Sequence, residues 1–358
     1  MKKLRIGFLS TAGIGQKNWK AIFHSGNAVV SAVASRDLKK CRQFIDECQR
    51  EFAFFPAPRA FGSYEELLAS PDVDAVYIPL PTALRKSFVL QAAANHKHVV
   101  CEKPCATDSG ALAEMIAACQ QNNVQFMDGV MFMHSPRLAK VREILDDDHS
   151  IGVLRRITST FSFYSGEQFF RDNIRVNGAL EPAGCLGDLG WYSIRFALWT
   201  LNWRLPQTVT ARILRSSEIR LDRPSSPVDF SAEMFFEGGV SCAFYCSFIA
   251  GHQQWVHVSG QQGWLLLPDF VHPLNSYEPG FEVCHKPVQV SGDVKCPPGV
   301  DPKVQGHAAA QDAIMWRNFA AQVLSGKLNA DWPLWAAKTQ KVMDACLEAA
   351  REGRAMKL

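Results

Sequence analysis

The sequence lacks a long hydrophobic run. No apolar stretch approaches the roughly 18 residues that read as a membrane-spanning helix. It also lacks a strong charge of either sign. The 38 Lys and Arg residues against 35 Asp and Glu leave +3, and no basic run supplies the electrostatic footprint of a nucleic-acid binder. Cysteine is present, but paired spacing is not. Eleven cysteines, an odd number at irregular intervals, do not suggest a disulfide framework. Cys101/Cys105 and Cys242/Cys246 each lack a second pair at zinc-site spacing, so no metal is expected. The opening Met1-Lys2-Lys3-Leu4-Arg5-Ile6-Gly7 passes at once into a short apolar strand, without the apolar region and small-residue cleavage site of a secretory leader. The expectation is a cytoplasmic chain with reduced thiols.

What is there is an ordinary globular balance, 47% hydrophobic and 20% charged. At 358 residues the chain has room for two domains. Up to about residue 130, strand patterns at Arg5–Leu9, Ala28–Ala34, Ala75–Ile78, His98–Cys101 and Val124–Met127 alternate with helical ones. Ser63 and Glu66 have capping-box spacing. Leu112, Met115, Ile116 and Cys119 share one helix face. Such alternation implies a parallel sheet covered by helices on both faces. After about 150 the strands lie close together, at Leu154–Tyr164, Thr208–Leu214, Val228–Phe236, Val240–Phe248, Trp255–Gly260 and Trp264–Leu267, as in an antiparallel sheet. The stretches 216–227 and 285–307 read as long irregular loops rich in Pro, Gly and Ser. Two helical patterns close the chain. The expected fold is α/β, an N-terminal Rossmann dinucleotide-binding domain (1–130) and a C-terminal α+β domain (131–358) with a large, mostly antiparallel open sheet. The terminal helix is expected to be able to pack back on the first domain.

Glycine is missing where a dinucleotide fingerprint wants it. The first strand runs into Ser10-Thr11-Ala12-Gly13-Ile14-Gly15, and G-x-G-x-x-G would place glycines at positions 10 and 12. By itself this segment fits a plain strand–helix turn equally well. The helix N-terminus still offers backbone N–H groups to a phosphate. After the second strand comes Ser35-Arg36, with Lys40 four residues on. An Arg here suits the 2′-phosphate of NADP, whereas NAD-binding chains favour a carboxylate. Arg36 and Lys40 share a face if a helix begins at Asp37; the alternative is two solvated surface charges. NADP is expected, with NAD as the second choice.

Glu102-Lys103-Pro104 follows the strand His98–Cys101, so Lys103 stands at the C-terminal end of a parallel strand, where open α/β sheets bind ligands. Further on, Gly187-Asp188-Leu189-Gly190-Trp191-Tyr192 places Asp188 and Tyr192 one turn apart if a helix begins near Asp188. A carboxylate beside a phenol can orient it and share a proton-transfer task. A helix cap and a core tyrosine are the alternative.

Together these motifs resemble the glucose–fructose oxidoreductase / inositol dehydrogenase / rhizopine-catabolism family, Gfo/Idh/MocA. The likeness covers nearly the whole chain. It includes Tyr77-Ile78-Pro79-Leu80-Pro81-Thr82, Met127-Asp128-Gly129, His134, Pro136-Arg137, the segment from Gly187 to Arg195, and Lys338-Thr339-Gln340. It is strongest with the branch of NADP-using xylose and dihydrodiol dehydrogenases. The resemblance implies an NAD(P)-dependent oxidoreductase acting on the CH–OH group of a sugar, polyol or cyclic diol. It implies catalytic roles for Lys103, Asp188 and Tyr192. Cofactor contacts are implied at Ser10, Ala12, Gly13, Ile14, Ser35, Arg36, Lys40, Pro79, Leu80, Glu102 and Lys103. The chain departs from the family at Ser10 and Ala12, and at Arg85, where most members have His. Arg85, His134 and Arg175 are the candidate substrate contacts, with a solvent-facing Arg85 as the alternative. The expected partners are a small-molecule substrate and a second copy of the chain, with neither nucleic acid nor membrane. Phe244, Phe248 and Trp255 are the residues expected on a pairing sheet face. Two other readings are a dinucleotide-sensing regulator of the same fold and a glycosidase using tightly held NAD.

Overall fold

The structure is a computed structural model that describes residues 2–147, 149–218, 224–273, 280–285, 288–293 and 307–358. In chain order the elements begin β1 (Leu4–Leu9), α1 (Ile14–Ser25), β2 (Ala28–Ala34), α2 (Leu38–Glu51), β3 (Arg59–Phe61), α3 (Tyr64–Ala69), β4 (Ala75–Ile78) and α4 (Thr82–Ala94). There follow β5 (His98–Cys101), α5 (Ser109–Gln121), β6 (Phe126–Asp128), α6 (Pro136–Asp146), β7 (Leu154–Tyr164), α7 (Glu167–Asp172), α8 (Trp191–Thr200) and β8 (Thr208–Ser216). Then come β9 (Pro227–Phe235), β10 (Ser241–Ser247), β11 (Ile249–Gly260), β12 (Gly263–Leu267), β13 (Gly280–His285) and β14 (Val288–Asp293). The chain closes with α9 (Gln311–Leu324), α10 (Asp331–Glu352) and β15 (Met356–Lys357). Two compact units result. The first holds the described parts of 1–106, 110–135 and 297–336, and the second holds those of 107–109, 136–296 and 337–358. The sequence reading had put everything after 130 in the second domain, whereas α9 belongs to the first unit.

In the first unit, six described strands form a parallel sheet in the order β3-β2-β1-β4-β5-β6. The order reverses between β1 and β4, so the C-terminal ends of these strands flank the crevice where such sheets bind ligands. Strands covered on both faces need continuous apolar sequence, and all four residues of Ala75–Ile78 are buried. Helix α2 buries Cys41, Phe44, Ile45 and Cys48, spaced i, i+3, i+4, i+7 along one stripe. Asp37 starts it by accepting from the Lys39 and Lys40 amides. Ser63 caps α3 on the Glu66 amide, as the capping-box spacing predicts. Arg317 of α9 donates to the His24 and Ser25 carbonyls at the end of α1, where a cation offsets the helix dipole.

In the second unit, nine described strands run in the order β14-β13-β12-β11-β7-β10-β9-β8-β15, antiparallel except for the β7–β10 pair. Alternate residues face the helical layer: Cys242, Phe244 and Cys246 are buried, and a Cβ on Gly190, just before α8, would touch the Phe244 ring and the Cys246 sulfur. Phe244 and Phe248 are therefore core residues, not parts of an open face as the sequence reading had them. The opposite face carries half-buried Tyr245, Trp255, His257, Trp264 and Leu266. Two arginines are nearly fully buried. Arg137 pairs with Asp269 at 2.5 Å and donates to the Asp269 and Gly280 carbonyls. Arg195 donates to the Thr339 hydroxyl at 2.7 Å and lies near the Trp191 and Trp203 rings. That contact joins two of the segments that carry the family resemblance.

Several expectations differ from the structure. Strands β3, β13, β14 and β15 have no counterpart in the sequence reading, and β14 falls within a stretch read as irregular. Residues 286, 287 and 294–306 of that stretch, and residues 219–223 of the other expected loop, lie outside the described residues.

Candidate active site

At Ser10 the turn from β1 into α1 keeps the backbone a glycine would give. Ser10 has φ 126°, in the region that glycine enters at no steric cost. For a residue with a Cβ this costs about 1–3 kcal/mol. Its hydroxyl accepts from the Ala12 amide at 3.2 Å, which stabilises the turn. Gly13 faces open space, whereas a Cβ on Gly15 would come within 3.1 Å of the Phe44 ring. Gly15 thus serves close helix packing, and Gly13 leaves room above the helix. No side chain caps the N-terminus of α1, so its first amides are suited to a pyrophosphate.

At the end of β2, Ser35 accepts from the Asp37 amide through its hydroxyl at 3.2 Å. Arg36 and Lys40 are both exposed. Helix α2 begins at Leu38 with Asp37 as its cap, so Arg36 precedes the helix and does not share its face with Lys40. Burial raises the Tyr64 phenol pKa, and Arg36 partly offsets it. The Asp37 carboxylate, the one acid in this turn, is spent on the Lys39 and Lys40 amides.

Pro79 and Leu80 follow β4 and are buried. Glu102, Lys103 and Pro104 follow β5, and the Lys103–Pro104 peptide is cis. Glu102 is held by a chain of buried polar groups. The Trp316 indole N–H donates to the Asn18 side-chain oxygen at 2.7 Å. The Asn18 amide donates to the Tyr77 hydroxyl at 2.8 Å. Tyr77 donates to the Glu102 carboxylate at 2.6 Å. The other Glu102 oxygen accepts from the Lys103 amide at 3.3 Å. A Cβ on Gly129 would press within 3.2 Å of the carboxylate. The sequence reading missed Asn18 and Trp316. The signal was an asparagine inside a helix, a position its side chain disfavours unless something else uses it.

Arg85 is neither a solvent residue nor a contact open to substrate. Only 5% of it is exposed. Its guanidinium donates to the Leu80 carbonyl at 2.7 Å, to the Glu102 carbonyl at 3.0 Å and to the Pro104 carbonyl. His134 contacts Asn318 at 3.1 Å and the Trp332 ring, with centroids 6.1 Å apart. It lines a hollow of about 510 Å³ with Met133, Gln322 and Trp335. None of the other residues selected from the sequence lines that hollow.

In the second unit Asp188 sits in one turn of π-helix, Leu186–Gly190, and α8 starts only at Trp191. Helix α8 thus starts three residues later than the start expected near Asp188, and the wide turn before it is a form that recurs at functional sites. Arg175 donates through Nε to Asp188 at 2.8 Å. Asp188 raises the Arg175 pKa against the cost of burial, with Glu181 and Tyr192 adding in the same direction. Arg175, Asp188 and Tyr192 are therefore neighbours. Tyr192 is 5% exposed, and its ring packs against Phe161 at 5.7 Å between centroids.

The comparisons agree with these two halves. Residues 4–130 match the model of an oxidoreductase family with an NAD-binding Rossmann fold, and residues 138–266 match the GFO/IDH/MocA C-terminal domain. The chain belongs to the Gfo/Idh/MocA oxidoreductase family. D-xylose 1-dehydrogenase (NADP(+)) 2 of Haloferax volcanii is 30% identical over 260 residues, 73% of this chain and 74% of that one. Trans-1,2-dihydrobenzene-1,2-diol dehydrogenase of Xenopus laevis is 33% identical over 183 residues, 51% of this chain and 52% of that one. The crystal structure of aldose-aldose oxidoreductase from Caulobacter crescentus has TM-score 0.82 at 22% identity, covering 100% of both chains, a likeness of fold. As a Gfo/Idh/MocA protein the chain is an oxidoreductase with an NAD(P)-binding Rossmann domain. Among the described residues no helix is long and apolar enough to cross a membrane.

Proposed function

We propose that this chain is an NADP(H)-dependent dehydrogenase or reductase that interconverts the alcohol and carbonyl of a sugar, polyol or cyclic diol. The observation that carries the reading is the placement of Lys103. It stands two residues past the buried end of a parallel strand, with its neighbours Glu102 and Pro104 tied down on both sides. The cofactor would lie on Ser10, Ala12, Gly13 and Ile14 at the start of α1, on Pro79 and Leu80 after β4, and on Glu102 and Lys103 after β5. Ser35, Arg36 and Lys40 would take the 2′-phosphate. The uncapped helix start and the open space above Gly13 suit such a group. When bound, the nicotinamide supplies the hydride acceptor or donor.

The chain's own residues handle the proton. In oxidation, Lys103 enters the step as the free amine and takes the one proton that leaves the substrate hydroxyl, while Tyr192 assists through its hydroxyl; in reduction Lys103 returns that proton to the carbonyl oxygen. Asp188 holds a negative charge next to Tyr192, and Arg175 offsets it. The names of the xylose and dihydrodiol dehydrogenases support the substrate class and the choice of NADP. His134 and Arg175 stay as substrate candidates, with Arg175 the better placed because it contacts Asp188. The working form is proposed as a homodimer or higher homo-oligomer in the cytoplasm. Its pairing surface would be the face of Tyr245, Trp255 and Trp264, a broad half-apolar sheet surface that favours cover. A monomeric mass by light scattering at micromolar concentration contradicts that part.

The test is NADP⁺ reduction at 340 nm with a panel of aldoses, polyols and trans-diols. Turnover on at least one is expected. Tight dinucleotide binding without turnover points to the regulator, and glycoside cleavage with retained NAD points to the glycosidase; either outcome overturns the proposal.

A further inference from the structure

Arg85 is a buried cation with no carboxylate among its hydrogen-bond acceptors. Its three hydrogen bonds all go to main-chain carbonyls, of Leu80, Glu102 and Pro104. Those carbonyls belong to two loops, the one after β4 and the one after β5, on adjacent strands of the first sheet. Two of them, Glu102 and Pro104, are the residues on either side of Lys103. The planar guanidinium spreads several N–H donors in a fixed fork, so it can serve carbonyls on both sides at once. A lysine offers a single nitrogen at the end of a flexible stem. Helix α4 supplies the rigid mount: Arg85 lies in its first turns, between buried Thr82 and Val89.

We infer that Arg85 is a positioning residue for Lys103: its guanidinium bridges the loop after β4 to the carbonyls on both sides of Lys103 and so fixes where the lysine side chain starts. The inference rests on the proposed role of Lys103, but the bridge itself is testable without it. The Tyr77–Glu102 bond holds the same loop through a side chain. Arg85 holds it through the backbone, and the two constraints are independent.

The experiment compares Arg85→Gln and Arg85→Lys with the native protein. The first readout is the rate at which Lys103 is acetylated by N-hydroxysulfosuccinimidyl acetate, measured by peptide mass spectrometry and normalised to exposed Lys140. The second is kcat and KM with NADP⁺ and D-xylose. The third is the melting temperature. A loosened loop raises Lys103 acetylation about fivefold in Arg85→Gln and lowers kcat tenfold or more, with KM for the sugar within about threefold. Arg85→Lys should restore melting but not the native acetylation rate. If Arg85→Gln does not fold, Arg85→Lys carries the test alone. A lowered melting temperature with native Lys103 acetylation shows a purely structural residue and overturns the inference. So does native acetylation in Arg85→Lys, because one nitrogen would then suffice. Full turnover by Lys103→Met would refute the role of Lys103 and leave the bridge standing.

Discussion

Two loops of the same parallel sheet carry the charges that matter most to the proposed reaction, and they are built in opposite ways. The loop after β5 is fastened from several directions. Arg85 holds its carbonyls, Tyr77 holds the Glu102 carboxylate, and Gly129 leaves just enough room for that carboxylate. The loop after β2 is fastened only at its base, by Ser35 and by the Asp37 cap, and Arg36 and Lys40 extend into solvent. If Lys103 transfers the proton as proposed, it must hold a position to a fraction of an ångström, and a loop tied at several points suits that role. A cation that recognises a phosphate tolerates movement, because charge attraction falls off gently with distance.

The largest effect should come from the rigid loop. Lys103→Met is expected to lower turnover about a hundred- to ten-thousandfold, the range for a positioned acid–base group. NADPH affinity by fluorescence titration should stay near native. A variant as active as the native protein would show that the fastened loop serves something other than proton transfer. Tyr192→Phe removes one hydroxyl and should also slow turnover. If both groups act on one proton, the double variant loses less than the two single losses combined. Fully additive losses would separate them.

The exposed loop should respond differently. Arg36→Ala is expected to weaken NADPH about ten- to a hundredfold, since a charge-assisted contact is worth about 1.5–3 kcal/mol, and to leave NADH nearly unchanged. Equal weakening of both would make Arg36 a structural residue and erase the contrast between the loops.

Smaller effects sharpen the comparison. Tyr77→Phe deletes the donor to Glu102 and should cost about 1–3 kcal/mol in urea unfolding, whereas Lys40→Ala, fully at the surface, should cost almost nothing. The smallest is a pH effect at the start of the first sheet's central strands, β1 and β4. Burial works to raise the Asp74 pKa, but hydrogen bonds and charge from Arg5 outweigh it and hold the carboxyl below its ordinary value. Its folded pKa lies below its unfolded one, so its stabilising contribution is present above the ordinary carboxylate range. It fades as pH falls through the folded value. Asp74→Asn should therefore flatten the acid limb of the melting curve below the ordinary carboxylate range, and an unchanged limb would contradict the assignment.

How legible these features were in the sequence follows from their range. Strands β2, β4, β5 and β7 were read to the residue because their apolar patterns are local. Strands β13 and β14 were not, because their positions depend on pairing with β12. Arg36 was selected from its place after a strand, and the helix start beside it was misplaced by one residue because a cap and a first turn look alike in sequence. Arg85 was misjudged for a deeper reason. A lone arginine early in a helix is usually solvated, and the three carbonyls that bury this one come from segments up to 19 residues away.

The sequence by itself determined the alternation of strand and helix, the change to antiparallel pairing, and the motifs that name the family, since periodicity and motif spacing are properties of neighbours along the chain. Only the tertiary structure decided that Ser10 keeps a glycine's backbone, that Phe244 faces the core, that Asn18 and Trp316 support Glu102, and that Arg85 turns inward. Each of those depends on what lies opposite a side chain in space, and residues as far apart as Asn18 and Trp316 meet only when the sheet and its helices have closed.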